Sequence, residues 1–455
     1  MYNRLIGVAA VAALLRIAPA TAQDASSETL AALPTDLTAL SVEQLLDIEV
    51  TSVSKRPEKA LEAPAAIYVL SGEDIRQSGA HRIADALRLV PGLNVAQTDS
   101  RTYAISSRGF NATSADKMQV LLDGRSVYTP LTSAVFWDVL DTHLDDIARI
   151  EVIRGPGATL WGANAVNGVI NIVTKRAQDT VGTVVSGGGG SSERAFAALR
   201  SGTELGELGA ARIYAKAADH AAGETASGDS ADDATRLERA GFRADGRHGE
   251  NDTWTLSGDL YTGRFNTPES ATLPSDEPTR VRGGHLLGRW SRGETAGSGW
   301  SLQTYYDHYA REIPGTYAET RDTVDVDFQQ HHALGTRQTL TYGLGYRQSR
   351  DETAGPDEAA LIFLPARRTL QTWTAFVQDQ IHLSDDLTLT LGSKFEDNDF
   401  TGFEWQPGLR LGWSLSEHAF TWAAVSRAVR TPNRLDSDVA IFCPEPDGFP
   451  GICGP

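Results

Sequence analysis

From about residue 180 onward the chain reads as a series of stretches, roughly ten residues each, in which apolar and polar positions alternate. Over residues 253–261, Trp254, Leu256, Gly258 and Leu260 fall on one side of an extended chain, and Thr253, Thr255, Ser257, Asp259 and Tyr261 fall on the other. The same division sets Trp300, Leu302, Thr304 and Tyr306 against Ser301, Gln303, Tyr305 and Asp307. It recurs for Leu340, Leu344 and Tyr346 against Thr341, Gly345 and Arg347, and for Leu387, Leu389 and Leu391 against Thr388, Thr390 and Gly392. Successive side chains of a strand point to opposite faces, so each stretch has one apolar and one polar side. A soluble sandwich and a membrane barrel both satisfy that pattern, and the connections separate them. The links at 202–209, 248–252, 293–298, 334–336, 383–386 and 414–418 are short, whereas 221–235, 266–280, 351–367 and the tail after Arg430 are long. Two links, near Gly190 and Asn398, are shorter than this scheme requires. Short turns at one end and long loops at the other are the signature of an outer-membrane barrel. Trp405 and Trp413 share a face with Leu409 and Leu411. Eight residues of tilted strand separate the two indoles by ~20 Å of height, close to the spacing of aromatic girdles.

Residues 63–175 read differently, as a compact α+β domain. Ile67, Tyr68, Val69 and Leu70 form a strand, and Ser71 with Asp74 three residues on opens a short helix. A second helix is expected over 81–89, with Ile83, Leu87 and Val90 on one side, stopping at Pro91-Gly92. Val120-Leu121-Leu122 before the Asp123-Gly124 turn, the segment 150–154 before Gly155-Pro156-Gly157, and the segment 169–173 are buried strands. Ahead of this domain, residues 23–47 form a flexible leader with a short helix capped by Ser41, followed by a β-prone segment, Ile48-Glu49-Val50-Thr51-Ser52-Val53. At the start, Arg4, an apolar stretch over 5–15 and Ala20-Thr21-Ala22 match a secretory signal covering 1–22.

Composition sharpens this picture. A hydrophobic fraction of 41% with no long apolar run after residue 22 excludes helical membrane spans. The balance of 41 basic against 59 acidic residues, net −18, argues against nucleic acid as a partner. Two cysteines exclude a disulfide scaffold and a multi-cysteine zinc site, although Cys443 and Cys453 flank a Pro- and Gly-rich loop and could pair after export.

Four motifs carry a resemblance: Arg108-Gly109-Phe110; Leu122-Asp123-Gly124; Ile150-Glu151-Val152-Ile153-Arg154-Gly155-Pro156; and Trp161-Gly162 followed by Ala165-Val166-Asn167-Gly168-Val169-Ile170-Asn171-Ile172. In this order and spacing, ahead of a barrel pattern, they resemble the plug domain of TonB-dependent outer-membrane receptors. The resemblance implies an α+β plug over 55–175 inside a transmembrane antiparallel β-barrel over 176–455. It also makes residues 48–54 similar to a TonB box, gripped through Ile48, Glu49, Val50, Thr51, Ser52 and Val53 by TonB with its inner-membrane energising complex. The implied activity is uptake of a scarce large solute, a ferric siderophore before cobalamin or another nutrient, across the cell outer membrane, without a cofactor. Plug arginines of that family pair with acidic wall residues, which makes Arg108, Glu151 and Arg154 the candidate plug-to-barrel contacts. Tyr103, Phe110 and Tyr128 are candidate ligand contacts, each equally placed to be core. A passive porin or adhesin barrel, or a secreted carbohydrate-binding β-protein, are the alternatives of other classes.

Acidic residues at Asp229, Asp232, Asp233, Glu269, Asp276, Glu277, Asp351, Glu352, Asp357 and Glu358 suggest an acidic outer face. No enzyme constellation stands out: His331 and His332 adjoin in a strand and so point apart, and no metal set is expected. About thirteen strands are counted where the resembled barrel has twenty-two, so the C-terminal strands are expected to be missing and this chain alone is not expected to close.

Overall fold

The computed structural model describes residues 49–453 except 115, 267–276, 294–297, 356–360, 417–418 and 445–449. The expected signal, leader, Ser41-capped helix and Ile48 lie outside the described residues, as do Glu269, Asp276, Asp357 and Glu358 of the acidic loops.

Two units are built. In the first, a short ladder pairs β1 (Glu49–Val50) with β2 (Glu58–Lys59). A five-stranded sheet follows, in the order β3 (Ile67–Ser71), β10 (Ile147–Arg154), β11 (Gly168–Thr174), β6 (Met118–Leu122), β7 (Arg125–Ser126). The β10–β11 pair is antiparallel and β11–β6 parallel. Two hairpin-like pairs complete the unit: β4 (Leu93–Gln97) with β5 (Tyr103–Ser107), and β8 (Tyr128–Thr129) with β9 (Ala134–Val135). Ser71 caps α1 (Gly72–Gln77) reciprocally with Asp74, as its sequence signals. The helix expected over 81–89 is shorter: α2 (Ile83–Ala86) runs into a 3₁₀ turn, Leu87–Leu89. It starts late because Arg82 is extended, its guanidinium bound to the Ser100 carbonyl at 2.5 Å. A further helix, α3 (Ala158–Trp161), lies between β10 and β11.

The central strands are buried on both faces. Ile150 and Val152 of β10 pack with Val120, Ile170, Ile172, Ile83 and Leu87 on one side. Ile153 packs with Val50, Val53, Leu121, Ala165 and Val169 on the other. The N-terminal segment is thus one wall of the second core, and among the described residues of the β-prone stretch only Glu49–Val50 is a strand.

The second unit is a 13-stranded antiparallel sheet with each strand hydrogen-bonded to the next in sequence. It comprises β12 (Gly182–Gly188), β13 (Glu193–Glu204), β14 (Ala210–His220), β15 (Thr235–His248), β16 (Asp252–Phe265), β17 (Thr279–Arg292) and β18 (Gly299–Ile313). It continues with β19 (Tyr317–Ala333), β20 (Gln338–Ala354), β22 (Arg367–His382), β23 (Leu387–Asn398), β24 (Gly402–Ser416) and β25 (Ala419–Ser426). Outside it, β21 (Leu361–Phe363), β26 (Val439–Pro444) and β27 (Pro450–Cys453) form a small sheet beyond a short helix, α4 (Arg434–Ser437). The alternation reads as expected: Leu256, Leu260, Trp290, Trp373, Trp405 and Trp413 are exposed outward, while Asp259, Gln303, Thr341 and Thr390 on the opposite face are buried. A third link, at 314–316, joins the two near Gly190 and Asn398 as short on the long-loop side. The backbone register sets Cys443 opposite Gly451 and Cys453 opposite Ile441; the two cysteine side chains lie outside what is described.

Gly168 shows how tightly the plug sheet is fitted. It sits between Arg154 of β10 and Met118 of β6, and a Cβ there would lie 2.2 Å from the Ile153 carbonyl oxygen. Gly168→Ala should therefore cost about 1–3 kcal/mol of plug stability, read as faster hydrogen exchange at the Ile170 and Ile172 amides.

Candidate functional site

The second face of the plug sheet holds a buried carboxylate. Glu151 is central in β10 and fully buried, projecting opposite Ile150 and Val152. Its carboxylate accepts hydrogen bonds from the Thr51 N–H (3.2 Å), the Ser52 N–H (2.9 Å) and the Ser52 hydroxyl, and Arg149 Nε supplies the countercharge at 2.7 Å. The neighbouring carbonyls are held as well: Ser52 O accepts from Trp161 Nε1 at 2.7 Å, and Val53 O from the inner-wall Arg410 at 3.0 Å. Strand addition by a partner uses these same backbone groups. In this state the N–H groups of Thr51 and Ser52 and the carbonyls of Thr51, Ser52 and Val53 are already engaged, and Val50 and Val53 are in the core. Further contacts tie the segment to the wall: Lys55 lies 3.6 Å from Asp327, and Arg56 donates to Gln380.

Glu58, opposite Val50 in the β1–β2 ladder, has Oε1 enclosed without a hydrogen-bond partner. Burial pushes its carboxyl up to about 7, against the opposing pull of Arg56 and Arg410.

Plug and wall are joined by buried ion pairs, mostly of the opposite sense to that expected. Asp146 lies between Arg200 (3.3 Å) and Arg212 (3.1 Å), Asp138 meets Arg311 at 2.6 Å, Asp141 meets Lys216 at 2.8 Å and Asp123 meets Arg243 at 3.3 Å. Here the plug is acidic and the wall basic; Arg125 with Asp307, 2.5 Å, and Lys55 with Asp327, 3.6 Å, are of the reverse sense. The three residues expected to make these contacts do not make them among the described residues. Arg154 stays within the plug, donating to the Pro91 carbonyl at 2.9 Å beneath Gly92. Arg108 is exposed, with its guanidinium over Gly155. Glu151 faces the N-terminal segment because that segment, not the wall, covers its side of the sheet. The wall arginines share the inward parity of their strands, so their facing was legible; their plug partners were not.

Of the three aromatic candidates, Tyr103 is core: its hydroxyl donates to Asp85 at 3.0 Å and only 3% of the residue is exposed. Phe110 is 72% exposed. Arg108, Gly109 and Phe110 all adopt positive φ, which turns the ring outward, and Lys117 Nζ stands 5.3 Å from it. Tyr128 lines a cavity of about 520 Å³ between plug and wall, with Arg125, Trp161, Arg239, His285 and Arg347 among the other lining residues. Toward the long-loop end the wall carries a cation–aromatic stack: Phe136 of the plug stacks on Tyr309 at 5.0 Å, with the Arg311 guanidinium 4.5 Å from the Phe136 ring. The acidic rim is reduced, since Asp351 is a strand residue paired with Arg434, and Asp233 is buried, accepting from the Ser100 and Gly223 amides. Among the described residues no group of three or more His, Cys, Asp and Glu could hold a metal ion.

The family model for the TonB-dependent receptor plug domain matches residues 59–169, and that for the TonB-dependent receptor-like β-barrel matches 178–444. The chain belongs to the TonB-dependent receptors. Relatives in this family are outer-membrane proteins. The vitamin B12 transporter BtuB of Vibrio cholerae is 33% identical over 35% of this chain and 26% of its own. The ferric enterobactin receptor of Pseudomonas aeruginosa is 25% identical over 87% of this chain and 62% of its own. The chain thus spans from about a quarter to under two thirds of these relatives. Among solved structures, the siderophore receptor PirA of Acinetobacter baumannii superposes with a TM-score of 0.70 at 17% identity, covering 87% of this chain and 66% of that one. The ferric enterobactin receptor of P. aeruginosa gives 0.68 at 20%, covering 84% and 64%. These likenesses establish the shared fold.

Two outcomes follow from the Glu151 site. Glu151→Ala should weaken docking of residues 51–53 by on the order of 2–3 kcal/mol, seen as faster protease cleavage within 49–56 of the folded chain. Docking should also depend on pH. Release returns Glu58 toward its ordinary 4.5, so the docked state binds its proton more tightly. The stabilisation is complete below about 4.5 and lost as pH rises through about 7. Protease cleavage should accelerate over that window, and Glu58→Gln should flatten the dependence.

Proposed function

We propose that the chain supplies the plug and thirteen wall strands of an exported receptor that takes up a ferric siderophore across the outer membrane, energised by TonB gripping residues 48–53. The observation that carries the reading is the docked segment, whose strand-forming backbone groups are held by Glu151, Trp161 and Arg410. A segment stored in this way, at the end of a plug tied ionically to a barrel wall, suits a pulling handle. The passive porin or adhesin alternative gives no role to such a handle or to a plug so anchored.

The siderophore reading is favoured over cobalamin by the extent of likeness: 87% of this chain aligns with the ferric enterobactin receptor and 35% with BtuB. Phe110, outward on its positive-φ turn, and Tyr128, at the plug–wall cavity, are the ligand contacts in this reading. Residues 1–22 serve as the cleaved export signal, 55–175 as the plug and 176–455 as wall, with bilayer lipid against the outward face.

Deleting the gene should abolish uptake of a radiolabelled ferric siderophore while leaving labelled cobalamin uptake unchanged; the opposite pattern would assign the receptor to cobalamin. Val50→Pro or Val53→Pro in the chromosomal gene should abolish uptake while ligand still binds the cell surface, and unchanged uptake would refute the handle.

A further inference from the structure

The outward face of the wall, which the uptake reading leaves to lipid, is not uniformly apolar. Cross-strand register stacks it into rows. The lowest of those considered joins Trp254, Trp290, Leu302 and Phe328. Rows of mostly small and apolar residues follow, among them Leu256 and Val326, then Phe242, Leu286, Tyr306 and Val324, then Leu260 and Gly284, whose row turns polar at the His308–Asp322 pair. Eight residues above Trp254 and Trp290 the composition changes abruptly, with Thr262 paired to Arg282, and above them Arg264 paired to Arg280. At ~3.3 Å per residue and a tilt near 40°, Arg282 stands roughly 20 Å and Arg264 and Arg280 roughly 25 Å above the indole row, at the upper edge of an apolar band that is about 25 Å tall in such barrels. They lie at the long-loop end.

Arg264, Arg280 and Arg282 are all exposed and line one cleft of about 410 Å³ on this face, with Thr262, Thr320 and Glu312 beside them and the buried Arg311 and Glu319, already committed to inner-face ion pairs, at its floor. Arg280 is shared at 3.4 Å with Glu277 and Glu312. Among the described residues no carboxylate lies within ion-pair distance of Arg264 or Arg282. Arg236, beside Arg264 in the same row, is by contrast matched by Glu238 at 2.7 Å. Like charges directly opposite on neighbouring strands repel, so this cluster is disfavoured without an anion. Guanidinium forks bind phosphate bidentately, and the depth of the row is that of headgroups.

We propose that the cleft formed by Arg264, Arg280 and Arg282 binds the phosphorylated headgroup of a lipid in the leaflet on the long-loop side. The apolar rows beneath take its acyl chains, which a free anion lacks, and this selects lipid over soluble phosphate as the occupant. The inference rests on the reading of this sheet as a membrane-facing barrel wall.

The full chain, folded in neutral detergent and checked by its β-sheet circular dichroism, would be titrated with mixed micelles carrying a diphosphorylated glycolipid. Native mass spectrometry would read the bound lipid. The wild-type chain should retain the lipid, and Arg264→Gln/Arg280→Gln/Arg282→Gln should weaken retention at least tenfold, whereas Arg236→Gln should stay within about twofold. Enzymatic removal of the lipid phosphates should reproduce the triple variant's loss. Equal retention by wild type and triple variant, or displacement of the lipid by millimolar inorganic phosphate alone, would overturn the site. Absence of the chain from the outer-membrane fraction of cells would instead overturn the barrel reading, and this site with it.

Discussion

A strand that crosses hydrocarbon finds no hydrogen-bond partner in its solvent, so every backbone N–H and C=O must be given to a neighbouring strand. That requirement produces the uninterrupted ladder from β12 to β25, and the pleat then sends half of the side chains into lipid and half inward. The inward half cannot also be apolar if the interior is to hold a separable domain, and here it is charged. Once Arg200, Arg212, Arg239, Arg243 and Arg311 are committed to the inner face and buried, each needs a counterion. Removing one partner of such a pair leaves an uncompensated charge, at about 3–5 kcal/mol. The aspartates of the plug at 123, 138, 141 and 146 meet much of this need. Lipid outside thus dictates the charge of a domain that never touches it.

The same reasoning explains why the plug sheet has two unlike faces. One is a conventional apolar core. The other is closed by a segment with little secondary structure, which would leave its N–H groups without partners but for a buried carboxylate aimed at them. Glu151 replaces a missing strand: it satisfies two successive amides without forming a ladder, and its own charge is balanced by Arg149 on the same strand. A sidechain-held segment can leave as a unit, whereas a laddered one would have to unzip.

Much of this was legible in the sequence. Period-2 alternation gave the strand faces, and the Ser71–Asp74 capping box and the glycines at strand ends gave the plug elements, because these are local signals. The thirteen wall strands counted from alternation are found. What escaped was non-local. β4 is partly exposed while β5 is buried throughout, so the pair lacks a common alternation, the short 314–316 link hid among turn residues, and the helix at 81 was delayed by Arg82 reaching to Ser100. Arg108 and Arg154 were expected to pair with the wall because the family resemblance implied it, yet one lies over Gly155 and the other secures the turn at Pro91. Charge and parity tell which way a residue faces, but its partner lies far along the chain, 75 residues for Lys216 with Asp141 and 173 for Arg311 with Asp138.

That separation bears on how the molecule is put together. The Arg410 contact to the Val53 carbonyl joins groups 357 residues apart. A chain threaded from its N-terminus presents residues 51–53 long before the strand that binds them. Until β24 is in register the segment can rest on Glu151 but cannot be tied to the wall, so its full attachment reports that this stretch of the sheet has been assembled.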